Sequence, residues 1–445
     1  MKLSKVKGTE YIYFFLSVIN TILCLQYGIN VMTYIIFAFI FVGLCTKTID
    51  CETFFLYTLF IPNKYLQILT IPVYLFVKGK LFKPRFTRNT ILFLGLIAFS
   101  GIINCIVYRG FVPAVIFQIG FYYCILLLIE QFTRKIDVRL YIDFFDDIFV
   151  LQIICALIEI IVKHAFKDNV RGTFESAHYF GVFLLTYLYM LYKVKNKKRK
   201  PYETGIRFIT GTIILILADA KHVLLVVAIS IIIAWILNKL HVKKQIFFVG
   251  MMLLIGIVLF ITFVQSGIGH TLIKGETMKT YLYNDKYNKK YVYMVNTYEE
   301  MQSINGLIGF GVGQYGSQIS LTMSKGIIYD WNPHLASYKY AINPYKRAIS
   351  GLMTEWYINT GIGISSMVLG YPLVSFVGMI AELGLLGFLL FCGILDKRYE
   401  GKNKLFIIAF LLLTIFDTYL EIVCVFVLIL FVTNVYQKKG KIVIK

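Results

Sequence analysis

Long apolar runs alternate along the chain with short polar segments, most of them basic. A bilayer core of about 30 Å takes about 20 apolar helical residues per crossing. Runs of this kind fall near 11–27, 29–46, 90–108, 111–131, 141–163, 178–194, 208–220, 222–238, 246–265, 375–393, 405–416 and 418–436. The pattern predicts an all-α polytopic membrane protein. Two stretches need a closer reading. Residues 208–238 carry Asp219, Lys221 and His222 in the middle of an apolar run. As one helix this stretch would be about 46 Å long at 1.5 Å per residue, so a turn at the polar tip is expected. Residues 53–77 are apolar but contain Pro62, Asn63, Lys64 and Pro72. They read either as one kinked crossing or as two short helices joined at Pro62–Lys64.

Charge arbitrates. Basic residues gather in 78–88, 134–139, 193–200, 239–244, 397–404 and 438–445, which with Arg207, Lys47 and the N-terminal lysines hold 30 of the 45 Lys and Arg. Basic loops favour the cytoplasmic side. All of these can share that side only if 53–77 crosses twice or re-enters. That reading gives roughly 12–14 transmembrane helices at the usual span length, with both termini cytoplasmic. Three regions follow: 1–265, helices with short loops; 266–374, one large exoplasmic loop rich in aromatic residues; and 375–445, the C-terminal helices. A loop of that length in a compact protein is usually functional.

Composition agrees with the pattern. The chain is 58% hydrophobic and 16% charged, with mean hydropathy +0.73. Soluble domains are about 45–50% apolar and about 25% charged. A soluble enzyme, a disordered chain and a nucleic-acid-binding domain are thereby excluded. The net charge of +21 is explained mostly by topology rather than by a polyanionic partner. The eight cysteines lie in or beside apolar runs without zinc-ligand spacing, so neither a disulfide framework nor a metal is expected. Lys2, Lys5 and Lys7 precede an apolar run from Tyr11 with no small-residue cleavage site, which reads as an uncleaved first span.

Candidate chemistry concentrates on the outer side. Arg171, in Val170-Arg171-Gly172-Thr173-Phe174, lies in a short outer loop. Its planar, permanently charged fork suits a phosphate; the alternative is an interfacial anchor. Lys221 marks the 208–238 turn as a second outer cation, or as a plain hairpin tip. Gly309, Gly311 and Gly313 lack the Lys-Ser/Thr of a P-loop and suit a tight turn with close backbone approach. His334 and Arg347 lie among aromatics that include Trp331 and Trp356. Aromatic faces and polar edges suit sugar rings; the alternative is a packed loop core. Glu382 sits about 10 Å inside its span by helical rise. An intramembrane carboxylate marks a functional site or a buried ion pair, with Lys221 or Arg171 as the expected partner. Asp143, Asp146 and Asp147 fall at the cytoplasmic end and are assigned no metal.

Four features occur in one order: Arg-Gly-Thr-Phe, a basic hairpin after an apolar span, a long outer loop with Gly-x-Gly-x-Gly, and a returning span with Glu382-Leu383-Gly384-Leu385-Leu386-Gly387. In these the chain resembles the O-antigen ligase/polymerase superfamily, and within it the polymerases of capsular, exopolysaccharide and O-antigen repeat units. The resemblance covers about 140–390. It implies a C-type glycosyltransferase-like membrane fold, no cofactor, and undecaprenyl-pyrophosphate-linked oligosaccharides as substrates in the bacterial plasma membrane. A flippase and a chain-length regulator would be partners. Arg171, Lys221 and Arg347 would hold the pyrophosphate. Gly309, Gly311, Gly313, Trp331 and Trp356 would shape the glycan site or its turn, and His334 or Glu382 would act as base. Many members place His-Asn about ten residues before that Glu; here Tyr371-Pro372 stands there, which leans away from the ligase branch. The competing readings are a ligase, a membrane acyltransferase acting on sugars, and a flippase or other transporter. Transporters usually show two related halves, and no internal repeat is evident.

Overall fold

A computed structural model describes residues 2–27, 31–84, 86–110, 112–132, 138–164, 170–174, 176–196, 200–218, 220–266, 289–315, 344, 375–399, 404–414, 423–435 and 442–444. The helices before the large loop are α1 (Lys2–Tyr27), α2 (Val31–Cys45), α3 (Cys51–Leu59), α4 (Lys64–Val77), α5 (Arg88–Tyr108), α6 (Val112–Phe132), α7 (Val138–Lys163), α8 (Ala177–Lys193), α9 (Pro201–Leu217), α10 (Lys221–Lys239) and α11 (Gln245–Gln265). Then come α12 (Lys289–Glu300), α13 (Ile304–Ile308), α14 (Ser375–Arg398), α15 (Leu405–Leu413) and α16 (Val423–Val435). Two three-residue strands, β1 (Val194–Asn196) and β2 (Ile442–Ile444), pair in parallel, a feature hydropathy does not announce.

The chain is an all-α membrane protein apart from that small pairing. Among the described residues five helices are long and apolar enough to cross a bilayer: Gly8–Tyr27, Arg88–Tyr108, Val112–Phe132, Gln245–Val264 and Phe376–Arg398. Several further apolar helices are shorter than a full crossing, including Val31–Cys45 and Val423–Thr433. The number of full-length spans among the described residues is therefore smaller than the 12–14 read from hydropathy. Among the described residues of the run at 405–416, the helix is the nine-residue α15.

Burial separates two kinds of apolar helix. The described side chains of α16 are buried all round, as are those of α15 from Phe406 onward. These two therefore sit inside the bundle, and their apolar composition on every face suits them to it. By contrast α5, α9, α10 and α11 hold large apolar side chains outward, such as Ile106 at 74% and Trp235 at 62% exposure. Water would penalise such surfaces at about 25 cal/mol per Å²; hydrocarbon does not.

Helix ends sort onto two sides. On one, Lys78 pairs with Glu52, Arg207 Nη1 donates to the Asp146 carbonyl (2.9 Å), and Lys404 Nζ donates to the Lys243 carbonyl (3.0 Å). Asp396 joins this side: it pairs with Lys404 and accepts from the Ile246 and Phe247 N–H groups at the start of α11 (3.1 and 2.6 Å). These are the ends that flank the basic segments. On the other side Thr173 Oγ1 donates to the Phe60 carbonyl (3.4 Å), Asn305 Nδ2 to Tyr108 Oη (2.6 Å), and Phe376 N–H to the Thr414 carbonyl (3.0 Å).

The ambiguous 53–77 stretch becomes two short antiparallel helices. Asp50 caps α3 by accepting from Thr53 N–H (2.7 Å). At the tip, Asn63 Oδ1 accepts from Leu66 N–H (3.2 Å) and Gln67 Nε2 donates to the Ile61 carbonyl (2.8 Å). α3 rises only about 14 Å, yet the pair runs from the Glu52–Lys78 ion pair on the basic side to the Phe60 carbonyl that Thr173 reaches. The 208–238 run turns back between α9 and α10, as its length requires.

Candidate active site

Gly309, Gly311, Gly313 and Glu382 converge at the side away from the basic segments. The turn after α13 is threaded between α5, α6 and α14. Phe310 N–H donates to the Ala381 carbonyl (2.7 Å). Ser100 Oγ donates to the Ile308 carbonyl (2.9 Å) and Asn104 Nδ2 to the Gly309 carbonyl (3.1 Å). Tyr315 N–H donates to Glu382 Oε1 (3.1 Å), and Glu382 is only 1% exposed. Each contact satisfies a polar group that would be costly to bury alone.

The glycines are dictated by this threading. Gly309 has φ +83°, and a Cβ there would collide with the Glu382 carbonyl oxygen. A Cβ on Gly311 would lie 2.9 Å from Gly101 Cα, and one on Gly313 2.6 Å from the Ala114 carbonyl oxygen. These obstacles are backbone and cannot swing aside. Gly384 matches Gly309 from the other side: its φ of +67° breaks α14 where the two segments meet. Phe310 and Tyr315 close the turn by stacking, with ring centroids 4.9 Å apart.

Arg171 belongs to a second cluster. Its backbone N–H and that of Gly172 donate to Glu159 Oε2 (2.7 and 2.8 Å). Thr173 N–H donates to Gln152 Oε1 (2.8 Å), and Gln152 Nε2 donates back to Thr173 Oγ1 (2.5 Å). Two polar residues of α7 thus grip residues 171–173, and the Arg171 side chain is exposed. Glu382 was the carboxylate expected near Arg171; the one observed against its loop is Glu159. Phe180 packs 3.5 Å from the Cβ position of Gly172, and the next residue, Gly181, lies against Ala220. The first turns of α8 are therefore bracketed by the Arg171 loop and by the residue preceding Lys221.

Glu159, Gln152, Ser100 and Asn104 were passed over in the sequence. Their signal was present: Ser100 and Asn104 are four apart and Gln152 and Glu159 seven apart, one helix face in each case, inside apolar runs where polar side chains are expensive. On the basic side, Asp146 accepts from Tyr187 Oη (2.7 Å) beside Arg207, a structural network. His334, Arg347, Trp331, Trp356 and most of 266–374 lie outside the described residues, as does the side chain of Lys221.

Compared with protein-family models, with curated proteins and with solved structures, the chain matches none.

Proposed function

We propose that the chain is a polymerase of undecaprenyl-pyrophosphate-linked oligosaccharide repeat units at the outer face of a bacterial plasma membrane. The observation that carries this reading is the bracketing of α8 by the Arg171 loop and the α9–α10 turn, on the side opposite the basic segments. Both notable outer cations of the sequence, 171 and 221, then flank one helix start. With the basic segments and both termini cytoplasmic, this cluster faces outward.

In the reaction the terminal hydroxyl oxygen of one lipid-linked unit bonds to C1 of the donor sugar. The C1–O bond to the pyrophosphate breaks with its electron pair, and the hydroxyl proton passes to a base. Negative charge grows on the leaving pyrophosphate, where Arg171 and Lys221 stabilise it. Glu382 is engaged with the Tyr315 backbone, so it positions the glycine turn, which leaves His334 as the candidate base. The energy resides in the donor's own pyrophosphate–sugar bond.

Purified protein given only lipid-linked repeat units should form a ladder without nucleotide or added metal. Arg171→Ala and Lys221→Ala should each lower its rate by about 10²–10³, the scale of one lost oxyanion donor. Transport of lipid-linked units across liposomes with no ladder would instead assign a flippase.

A further inference from the structure

Residues 170–174 are packed against α7, and only Arg171 among them is exposed. Val170, Gly172 and Thr173 are buried and Phe174 is half-buried. Three partners converge on this short stretch. Glu159 Oε2 accepts from the Arg171 and Gly172 N–H groups (2.7 and 2.8 Å). The Gln152 amide pairs twice with Thr173, accepting from its N–H (2.8 Å) and donating to its Oγ1 (2.5 Å). Thr173 Oγ1 also reaches the Phe60 carbonyl at the end of α3 (3.4 Å).

By helical rise Glu159 stands about 6 Å and Gln152 about 16 Å below the end of α7, and the two are 5% and 0% exposed. Polar side chains at such depths are expensive. An outer loop does not need them, because water satisfies exposed backbone groups. Here two of them draw the loop down into the bundle. No room is left for a side chain at position 172: a Cβ on Gly172, at φ +61°, would lie 2.4 Å from Gln152 Oε1. The backbone is therefore held at Arg171 and at both residues after it, while the one side chain left outside is a cation.

We propose that Glu159 and Gln152 are positioning residues for Arg171. They act through the backbone of residues 171–173 and set the point from which the guanidinium meets the pyrophosphate. Arg171 is taken as the pyrophosphate cation from the polymerase reading, on which the positioning role rests. A charge aimed in advance at the leaving group stabilises it without reorganising during the reaction. Misplacing such a group by about 1 Å can cost about 10²-fold in rate.

The test is a double-mutant cycle on the ladder rate of the full-length protein supplied with lipid-linked repeat units. Glu159→Leu should slow the ladder about 10²-fold. Glu159→Gln should recover most of that loss, because an amide oxygen accepts from the same two N–H groups. In an Arg171→Ala background Glu159→Leu should cost no more than about a further twofold, since the residue it positions is already gone. A defect of folding alone would instead multiply the Arg171→Ala loss. Glu159→Asp keeps the charge and shortens the reach by one methylene. It should show a loss with the same coupling, and it completes the cycle where Glu159→Leu does not fold. A normal rate in both variants, or their full loss repeated in the Arg171→Ala background, would overturn the positioning role and leave the polymerase standing. The same cycle is read as binding of undecaprenyl pyrophosphate in phosphatidylcholine nanodiscs. Non-additive loss of that binding, in a protein that makes no ladder, would keep the positioning role and remove the polymerase.

Discussion

Glu382 shows how much one buried side chain carries. Its Oε1 holds the Tyr315 N–H, and its own carbonyl lies where a Cβ on Gly309 would have to go. An amide oxygen can accept the same hydrogen bond, so Glu382→Gln should keep the turn and most of the polymer output. Glu382→Leu leaves a buried N–H unpaired at about 1–3 kcal/mol, read as a lower thermal unfolding midpoint in detergent. Loss of polymer in the Gln variant with unchanged unfolding would make Glu382 the proton acceptor. Gly311→Ala is harsher. It places a methyl against the α5 backbone at φ +88° and should cost about 2 kcal/mol or more, since the strain cannot relax into a side chain.

At the scale of elements, the buried Asp396–Lys404 pair ties two helices to a third. Asp396 accepts from both N–H groups that open α11, and each charged side chain is only 5% exposed. Removing one partner leaves an uncompensated buried charge. Lys404→Ala should therefore destabilise by about 3–5 kcal/mol, and Lys404→Arg by much less. The Glu52–Lys78 pair across the α3–α4 hairpin is partly open to solvent, with side chains 28% exposed. A double-mutant cycle there should return no more than about 1 kcal/mol. A value as large as that for Lys404 would mean that this end of the hairpin is sealed from water.

The whole molecule has a basic side and a side bearing both clusters, and orientation decides whether the clusters can meet exported glycan. Single cysteines at Lys163 and Lys200, both exposed, test it in a cysteine-free background. Lys163→Cys should react with an impermeant thiol reagent on intact cells, and Lys200→Cys only after permeabilisation. The reverse result would place the Arg171 loop in the cytoplasm and end the polymerase reading.

Hydropathy and charge suffice for the helical membrane class, the turn within 208–238, a 53–77 stretch that crosses twice or re-enters, and the need for glycine at 309–313. These follow from local arithmetic: helix length against bilayer thickness, the side that basic loops take, and what an absent Cβ permits. What lies beyond local arithmetic is which distant residues meet. Ser100 reaches the Ile308 carbonyl across 208 positions, and Gln152 and Glu159 grip a loop that the sequence marks only by Arg171. No periodicity encodes such pairings, because they depend on how whole helices pack.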